Sequence, residues 1–152
     1  MLRFLKTSFN SSQLNIVLLI IRIAVGSFML SHGIPKLMKF FSTGDITFSD
    51  PLGVGTIPSL IMAISAEVFC SIFVILGLGT RIAVIPLIIT MLVAVKFVHA
   101  NDPFGKKELA LMYLTVYLLL IVAGSGKYSF DQWLLNRQKK DDALNNANTQ
   151  KI

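Results

Sequence analysis

Four long apolar blocks, separated by short connections that contain glycine or proline, dominate this sequence of 152 residues. They cover residues 14–33, 57–78, 82–98 and 109–123. A helix that crosses the hydrocarbon core of a bilayer needs about 20 apolar residues. The blocks contain runs of Ile, Leu and Val instead of the alternation typical of a membrane β-strand. They therefore predict four membrane-spanning helices, because a helix satisfies its own backbone groups in lipid.

The composition supports a membrane protein. Hydrophobic residues make up 54% of the chain and charged residues 14%, and the mean hydropathy is +0.70. An ordinary soluble domain carries about 25% charged residues, so the charges here are too few to coat a globule. This excludes a water-soluble enzyme domain, a disordered protein and a nucleic-acid binder. The net charge of +6 lies mostly at the block edges, where it reports orientation in the membrane.

Glycine and proline predict where the spans end, and a capping box predicts a further helix. Gly33-Ile34-Pro35 is expected to end the first block. After the fourth block, Ser129 and Gln132 have the spacing of a capping box, which predicts a short surface helix to about Asn136. The predicted fold is all-α: an integral membrane four-helix bundle with a short amphipathic C-terminal helix. Residues 1–137 form its single domain, and residues 138–152 are expected to be a disordered cytoplasmic tail.

Basic residues near the block ends predict the orientation. Eight of them fall on one side of a four-span arrangement: Arg3, Lys6, Arg81, Lys127, Arg137, Lys139, Lys140 and Lys151. Four fall on the other side: Lys36, Lys39, Lys106 and Lys107. This imbalance predicts a multi-pass protein of the cytoplasmic membrane with both termini in the cytoplasm. The first block is too long for a cleaved signal peptide and lacks a small-residue cleavage site.

Cysteine chemistry and metal binding are not expected. The single cysteine, Cys70, lies within an apolar block, so no internal dithiol can form. The chain has two histidines, His32 and His99, far apart in sequence. The single cysteine excludes a thiol–disulfide relay within the chain. The separated histidines and the one cysteine make a structural zinc site improbable.

A few ionisable residues lie within or beside the apolar blocks and form the candidate site. They are Arg22, His32, Lys36, Glu67, Lys96, His99 and Glu108. Polar residues at membrane depth are costly and usually face protein or water. At 1.5 Å per residue, Arg22 lies roughly 12 Å from the start of the first block. Glu67 lies roughly 15 Å from the start of the second block, which begins on the other side of the membrane. The two levels predict an Arg22–Glu67 ion pair, joined to a polar seam that leads to the other members.

Each of these residues also has a structural interpretation. The predicted ion pair could pack helices or carry protons or a ligand. Lys36 and Lys96 could extend to the headgroups, and the two histidines could form interfacial hydrogen bonds. Glu108 suits the positive N-terminus of a helix. The connection 42–56 could cap the seam or be an inert link.

The order of these residues resembles the DoxX family of small four-helix membrane proteins. The resemblance covers about residues 14–134 and rests on Ser31-His32-Gly33 with Lys36, on Gly77, Gly79-Thr80-Arg81 and Gly124-Ser125-Gly126, and on Arg22, Glu67, His99, Glu108, Ser129 and Asp131. It implies a bacterial or archaeal cytoplasmic-membrane protein. Arg22, His32, Lys36, Glu67, Arg81, His99 and Glu108 are the candidate positions carried over from the family.

The resemblance implies a membrane subunit of a quinone-linked oxidoreductase or of an oxidative-stress complex, with quinone as the candidate ligand. The chain shows no flavin, haem or iron–sulfur motif, so no intrinsic cofactor is expected and a redox partner subunit would supply electrons. A non-enzymatic scaffold for partner proteins is the alternative, and a small transporter ranks third. Whether the chain is catalytic, and in what oligomeric state, is open at this point.

Overall fold

The computed structural model describes residues 10–44 and 46–149 and contains only helices and connections in that part of the chain. We number the helices α1 (Ser11–Phe40), α2 (Thr56–Leu76), α3 (Thr80–Val98), α4 (Phe104–Ala123) and α5 (Phe130–Thr149). The first three are long and apolar enough to cross a membrane. Helix α4 has 20 residues, but Lys106, Lys107 and Glu108 stand near its start. The predicted fourth span and the predicted orientation therefore remain predictions.

Helix α1 is longer than the sequence predicted. It was expected to end at Gly33-Ile34-Pro35, yet it continues through Pro35 to Phe40. A proline inside a helix removes one backbone hydrogen bond. In an apolar environment, leaving the helix would expose several backbone groups with no water to bind them, so the helix continues. This extension of seven residues changes which side chains of α1 and α2 lie at the same depth.

The C-terminal helix is also longer than predicted. The expected capping contact is present, since the Gln132 N–H donates to the Ser129 hydroxyl at 3.2 Å. The helix was expected to end near Asn136, before a disordered tail over residues 138–152, but it continues to Thr149. No glycine or proline follows Gly126 to stop it. Residues 150–152 lie outside the described chain, as do Arg3, Lys6 and Lys151 from the orientation argument.

Two glycines bring α1 and α2 into close contact. A Cβ atom on Gly26 would lie 2.5 Å from the Ile75 side chain, and one on Gly33 would lie 3.0 Å from the Glu67 backbone. The helices run antiparallel, so Gly33 lies at the level of Glu67 and Gly26 lies between Ser71 and Ile75. Small residues at such positions allow helix backbones to approach closely within a membrane.

Helices α2 and α3 each contain a π-helical turn. The turns cover Ser65–Cys70 in α2 and Ala94–Val98 at the end of α3. Between the two helices, Gly77 and Gly79 adopt positive φ angles of 70° and 54°, which glycine accepts without strain. This tight connection places α3 antiparallel to α2.

The buried core is small, and the outer surface is apolar. Val74, Val84, Leu87 and Leu120 are fully buried where α2, α3 and α4 meet. Many large apolar side chains face outward instead, for example Val122, which is 78% exposed. A soluble protein rarely exposes a continuous apolar surface of this kind. The surface fits lipid as the surrounding solvent.

Candidate functional site

The buried carboxylate of Glu67 pairs with Lys36. Lys36 Nζ, on α1, donates a hydrogen bond to Glu67 Oε1, on α2. The Glu67 side chain is 4% exposed and the Lys36 side chain 30%. The carboxylate is thus the buried partner, and the lysine stem leads from it toward the surface. Glu67 lies within the π-helical turn Ser65–Cys70, and such turns are frequent at functional sites.

The predicted Arg22–Glu67 pair is wrong. Arg22 is buried, and its guanidinium donates hydrogen bonds to three backbone carbonyls. These belong to Ser125, to Tyr128 at 2.9 Å and to Ile75 at 3.4 Å. The carbonyls lie at the end of α2 and in the connection between α4 and α5. Arg22 therefore ties three chain segments together instead of neutralising a carboxylate.

The length of α1 explains this error. Glu67 lies beside Gly33, eleven residues along α1 from Arg22, which is about 16 Å at 1.5 Å per residue. The predicted levels treat residues 14–33 as the whole first span. Helix α1 instead covers Ser11–Phe40, so it extends past that block at both ends, and its register against α2 differs from the predicted one.

A cavity of about 320 Å³ lies beside the ion pair, between α2, α3 and the connection 46–55. Its walls are mostly apolar. The helices supply Met62, Ala63, Ile89, Val93, Ala94 and Val98. Lys36 from α1 and His99 from the end of α3 add nitrogen donors to this apolar surface. Ligand sites commonly combine an apolar cavity of about 300 Å³ or more with a few placed polar groups.

The connection between α1 and α2 forms part of the cavity wall. Phe48, Pro51 and Leu52 line the cavity, and the Phe48 ring centroid lies 5.9 Å from Lys36 Nζ. From the sequence alone, this segment could be either a cap or an inert link. Its position against the cavity favours a cap.

Asp50 holds this connection to the start of α2. Its carboxylate accepts hydrogen bonds from the Ser59 hydroxyl at 2.7 Å and from the backbone N–H groups of Val54 and Gly55 at 3.1 and 2.7 Å. The hydrogen bond from Ser59, followed by those from the backbone, holds the pKa of Asp50 below its usual value. Sequence analysis did not single out Asp50, although an Asp before a Pro-Leu-Gly turn is a known loop signal.

His99 is positioned by Asp102. The two side chains meet at 2.8 Å between Nδ1 and Oδ2, and Lys106 Nζ lies 3.6 Å from the other carboxylate oxygen. The hydrogen bond from His99 lowers the pKa of Asp102, and the charge of Lys106 adds to this effect. An ionised carboxylate at Nδ1 favours a proton on that nitrogen. His99 is thereby oriented at the rim of the cavity.

The other predicted members of the seam are not gathered at the ion pair. His32 is exposed and contacts the Tyr113 ring edge to face, with centroids 5.9 Å apart. Lys96 and Glu108 are exposed, and Cys70 is a free, partly buried thiol. Among residues 10–44 and 46–149, no three His, Cys, Asp or Glu side chains are grouped so as to hold a metal ion.

Sequence analysis missed two tyrosines of α4 and one serine of α2. Tyr117 and Ser71 are fully buried, and neither hydroxyl has a hydrogen-bond partner within the described chain. The second Glu67 oxygen, Oε2, is also without such a partner. Tyr113 stacks on Tyr117, with the ring centroids 6.1 Å apart. The spacing of four between the tyrosines, inside an apolar helix, was the signal that could have identified them.

The chain is similar in sequence to a known family and to a known protein. A family model described as DoxX matches residues 17–100. A Haemophilus influenzae protein, described only as uncharacterized, is 31% identical over 118 residues, which cover 73% of this chain and 85% of that protein. No solved structure matches. The matched segment contains Arg22, Lys36, Glu67 and His99, most of α1, and all of α2 and α3. It covers more than half of the chain, and the chain therefore belongs to the DoxX family.

Proposed function

We propose that this membrane protein binds a quinone in the cavity beside Lys36 and serves as the membrane subunit of a redox complex. In this proposal α1 to α4 all cross the cytoplasmic membrane, and both termini are cytoplasmic. The observation that carries it is the cavity of about 320 Å³, which offers Lys36 and His99 on an otherwise mostly apolar wall. A quinone has an apolar ring and two carbonyl oxygens, and each oxygen accepts hydrogen bonds from such donors.

The arrangement around Glu67 supports proton handling at this cavity. Reduction of a quinone to a quinol takes up two electrons and two protons. Lys36 contacts the buried carboxylate of Glu67 and also lines the cavity, so it lies between an acid–base group and the ligand. His99 supplies a second acid–base group at the rim. The electrons would come from a partner subunit.

Binding of a short-chain ubiquinone to the detergent-purified protein tests the site. Ala63 lines the cavity, and Ala63→Phe should fill part of it and weaken binding at least about tenfold, or ~1.4 kcal/mol. The exposed Ala100 provides the matched control, since Ala100→Phe lies outside the cavity and should bind as the native chain does.

Two results would refute the proposal. One is a folded native protein that binds no quinone. The other is equal affinity of Ala63→Phe and the native chain, which would place the ligand elsewhere. If binding is confirmed, a quinone-reduction assay with candidate partner subunits tests the redox role separately.

A scaffold for partner proteins is the second candidate, and α5 favours it. Residues 136–143 are exposed and include Arg137, Lys139 and Lys140. Deletion of the chain after Leu135 should abolish capture of partner proteins and leave membrane insertion intact. Unchanged capture would eliminate this role.

A further inference from the structure

A second, larger cleft lies at the opposite end of the helices from the Lys36 cavity. It measures about 850 Å³, lies between the start of α3, the connection from α4 to α5 and the first half of α5, and is open to the surroundings. Arg81 and Lys127 line it and are both exposed. Asp131 also lines it, but its carboxylate accepts the Gly79 N–H at 2.8 Å and is thereby held against the α2–α3 connection.

The start of α3 adds donors to this cleft. The N–H groups of Ile82 and Ala83 donate to the Gly79 carbonyl, so the first-turn donors that remain are those of Thr80 and Arg81. Such N–H groups at a helix N-terminus attract anions. Thr80, the first residue of α3, lines the cleft and is 1% exposed. Its hydroxyl is buried and has no hydrogen-bond partner among the described residues. A buried hydroxyl without a partner is costly, so a ligand that binds it would relieve that cost.

The guanidinium of Arg81 is placed beside these groups. Its Nη2 donates to the Val122 carbonyl at 3.2 Å, at the end of α4. Gly124 lies against the same guanidinium, since a Cβ atom on Gly124 would be 3.3 Å from Arg81 Nε. These contacts position the Arg81 side chain across the end of α4, while its remaining N–H groups can bind a further acceptor.

One side of the cleft is apolar. Ile82 of α3 and Leu134 and Leu135 of α5 line it, and all three are exposed. Trp133 is half exposed on α5 and lies 5.5 Å from the Arg137 guanidinium, an arrangement suited to a membrane–water boundary. The cleft therefore places cationic and hydroxyl groups beside an apolar wall at the end of the spanning helices.

We propose that this cleft binds the phosphate group of an anionic phospholipid, with an acyl chain along Ile82 and Leu134. Arg81, Lys127 and the Thr80 hydroxyl contact the phosphate. The apolar wall favours a lipid over free phosphate as the source of this group. Bound there, the lipid would hold α5 at the membrane surface beside the ends of α3 and α4. The proposal does not depend on quinone binding at the other end.

Native mass spectrometry of the detergent-purified protein tests this directly, with phosphatidylglycerol as the anionic lipid and phosphatidylcholine as the zwitterionic one. The native chain should bind phosphatidylglycerol more tightly. Arg81→Gln and Lys127→Gln should each weaken that preference about fivefold, because a basic group near a membrane surface contributes about 1 kcal/mol. Lys106→Gln, which removes one positive charge at the opposite end, should leave the preference unchanged.

Thr80→Val separates ligand binding from folding. It removes the hydroxyl that lacks a partner, so thermal stability without added lipid should be equal or higher, while phosphatidylglycerol binding should weaken. Equal binding of the two lipids to the native chain would overturn the proposal, as would equal losses in Arg81→Gln and Lys106→Gln. Stabilisation by inorganic phosphate as strong as that by phosphatidylglycerol would overturn the choice of a lipid.

Discussion

The Lys36–Glu67 pair allows a quantitative test because its two partners are buried unequally. Lys36→Met leaves a carboxylate whose side chain is 4% exposed and whose second oxygen has no partner within the described residues. Removing one member of a buried pair costs about 3–5 kcal/mol. We therefore expect this variant to lose stability within that range.

The reverse change should cost less. Glu67→Leu leaves Lys36, whose side chain is 30% exposed, so its amine can extend toward the surface by bending its stem. We expect a loss below about 3 kcal/mol. The double variant Lys36→Met/Glu67→Leu contains no stranded charge and should recover most of the stability, which gives a coupling free energy of at least about 2 kcal/mol.

A second cycle provides the control. Arg22 lies about 16 Å along α1 from the level of Glu67, so Arg22→Met and Glu67→Leu should be additive within about 0.5 kcal/mol. The free energy of unfolding of all variants would be measured in mild detergent by circular dichroism as sodium dodecyl sulfate is added. Additive losses for Lys36 and Glu67, or strong coupling of Arg22 to Glu67, would refute the pairing described above.

Three further predictions follow from individual contacts. Gly33→Ala should destabilise the protein by about 1–3 kcal/mol in a thermal unfolding assay, because the new methyl group would press on the α2 backbone. Gly105→Ala is the control: a Cβ atom there would meet nothing within 4 Å, so this variant should be neutral or stabilising. The hydrogen bond from Ser59 lowers the pKa of Asp50, so the contribution of Asp50 to stability is present above the unfolded Asp pKa of about 3.9 and is lost as the pH falls below it. In Ser59→Ala, the stability measured against pH should therefore fall less steeply on the acid side. An unchanged dependence on pH would contradict this. Arg22→Met should lower the stability by at least about 3 kcal/mol, because three carbonyls lose a charged donor. Arg22→Lys should not restore that stability, since one amine cannot replace the planar guanidinium. Full stability of the lysine variant would refute this geometry.

The all-helical class and the approximate positions of the three helices that are apolar enough to cross a membrane were predictable from sequence, because they depend on local properties. A run of apolar residues long enough to cross a bilayer predicts a helix whose side chains contact lipid or other apolar side chains, whatever the tertiary arrangement. The capping residues Ser129 and Gln132 act over three residues and were also identified correctly. The order of charged and small residues along the chain was sufficient to indicate the DoxX family.

The partners of the charged residues were not predictable, because they depend on the register between helices. Helix α1 extends past the predicted block at both ends, and its true register against α2 gives Glu67 a different partner from the predicted one. Backbone carbonyls such as that of Ser125 carry no sequence signal, so the true partners of Arg22 could not be inferred. The cavity is likewise a property of packing, since its walls come from α2, α3 and a connection that are distant in sequence.

Hydropathy and chain length act locally, so the amino-acid pattern was enough to predict a lipid environment, the helical class and the few groups that must avoid lipid. Only the packed helices show that Lys36 pairs with Glu67, that Arg22 joins three chain segments at the opposite end, and that each end holds a separate cleft. Hydrogen bonds and ion pairs form only over a few ångströms. A small shift in helix register therefore exchanges one partner for another without changing the apolar pattern.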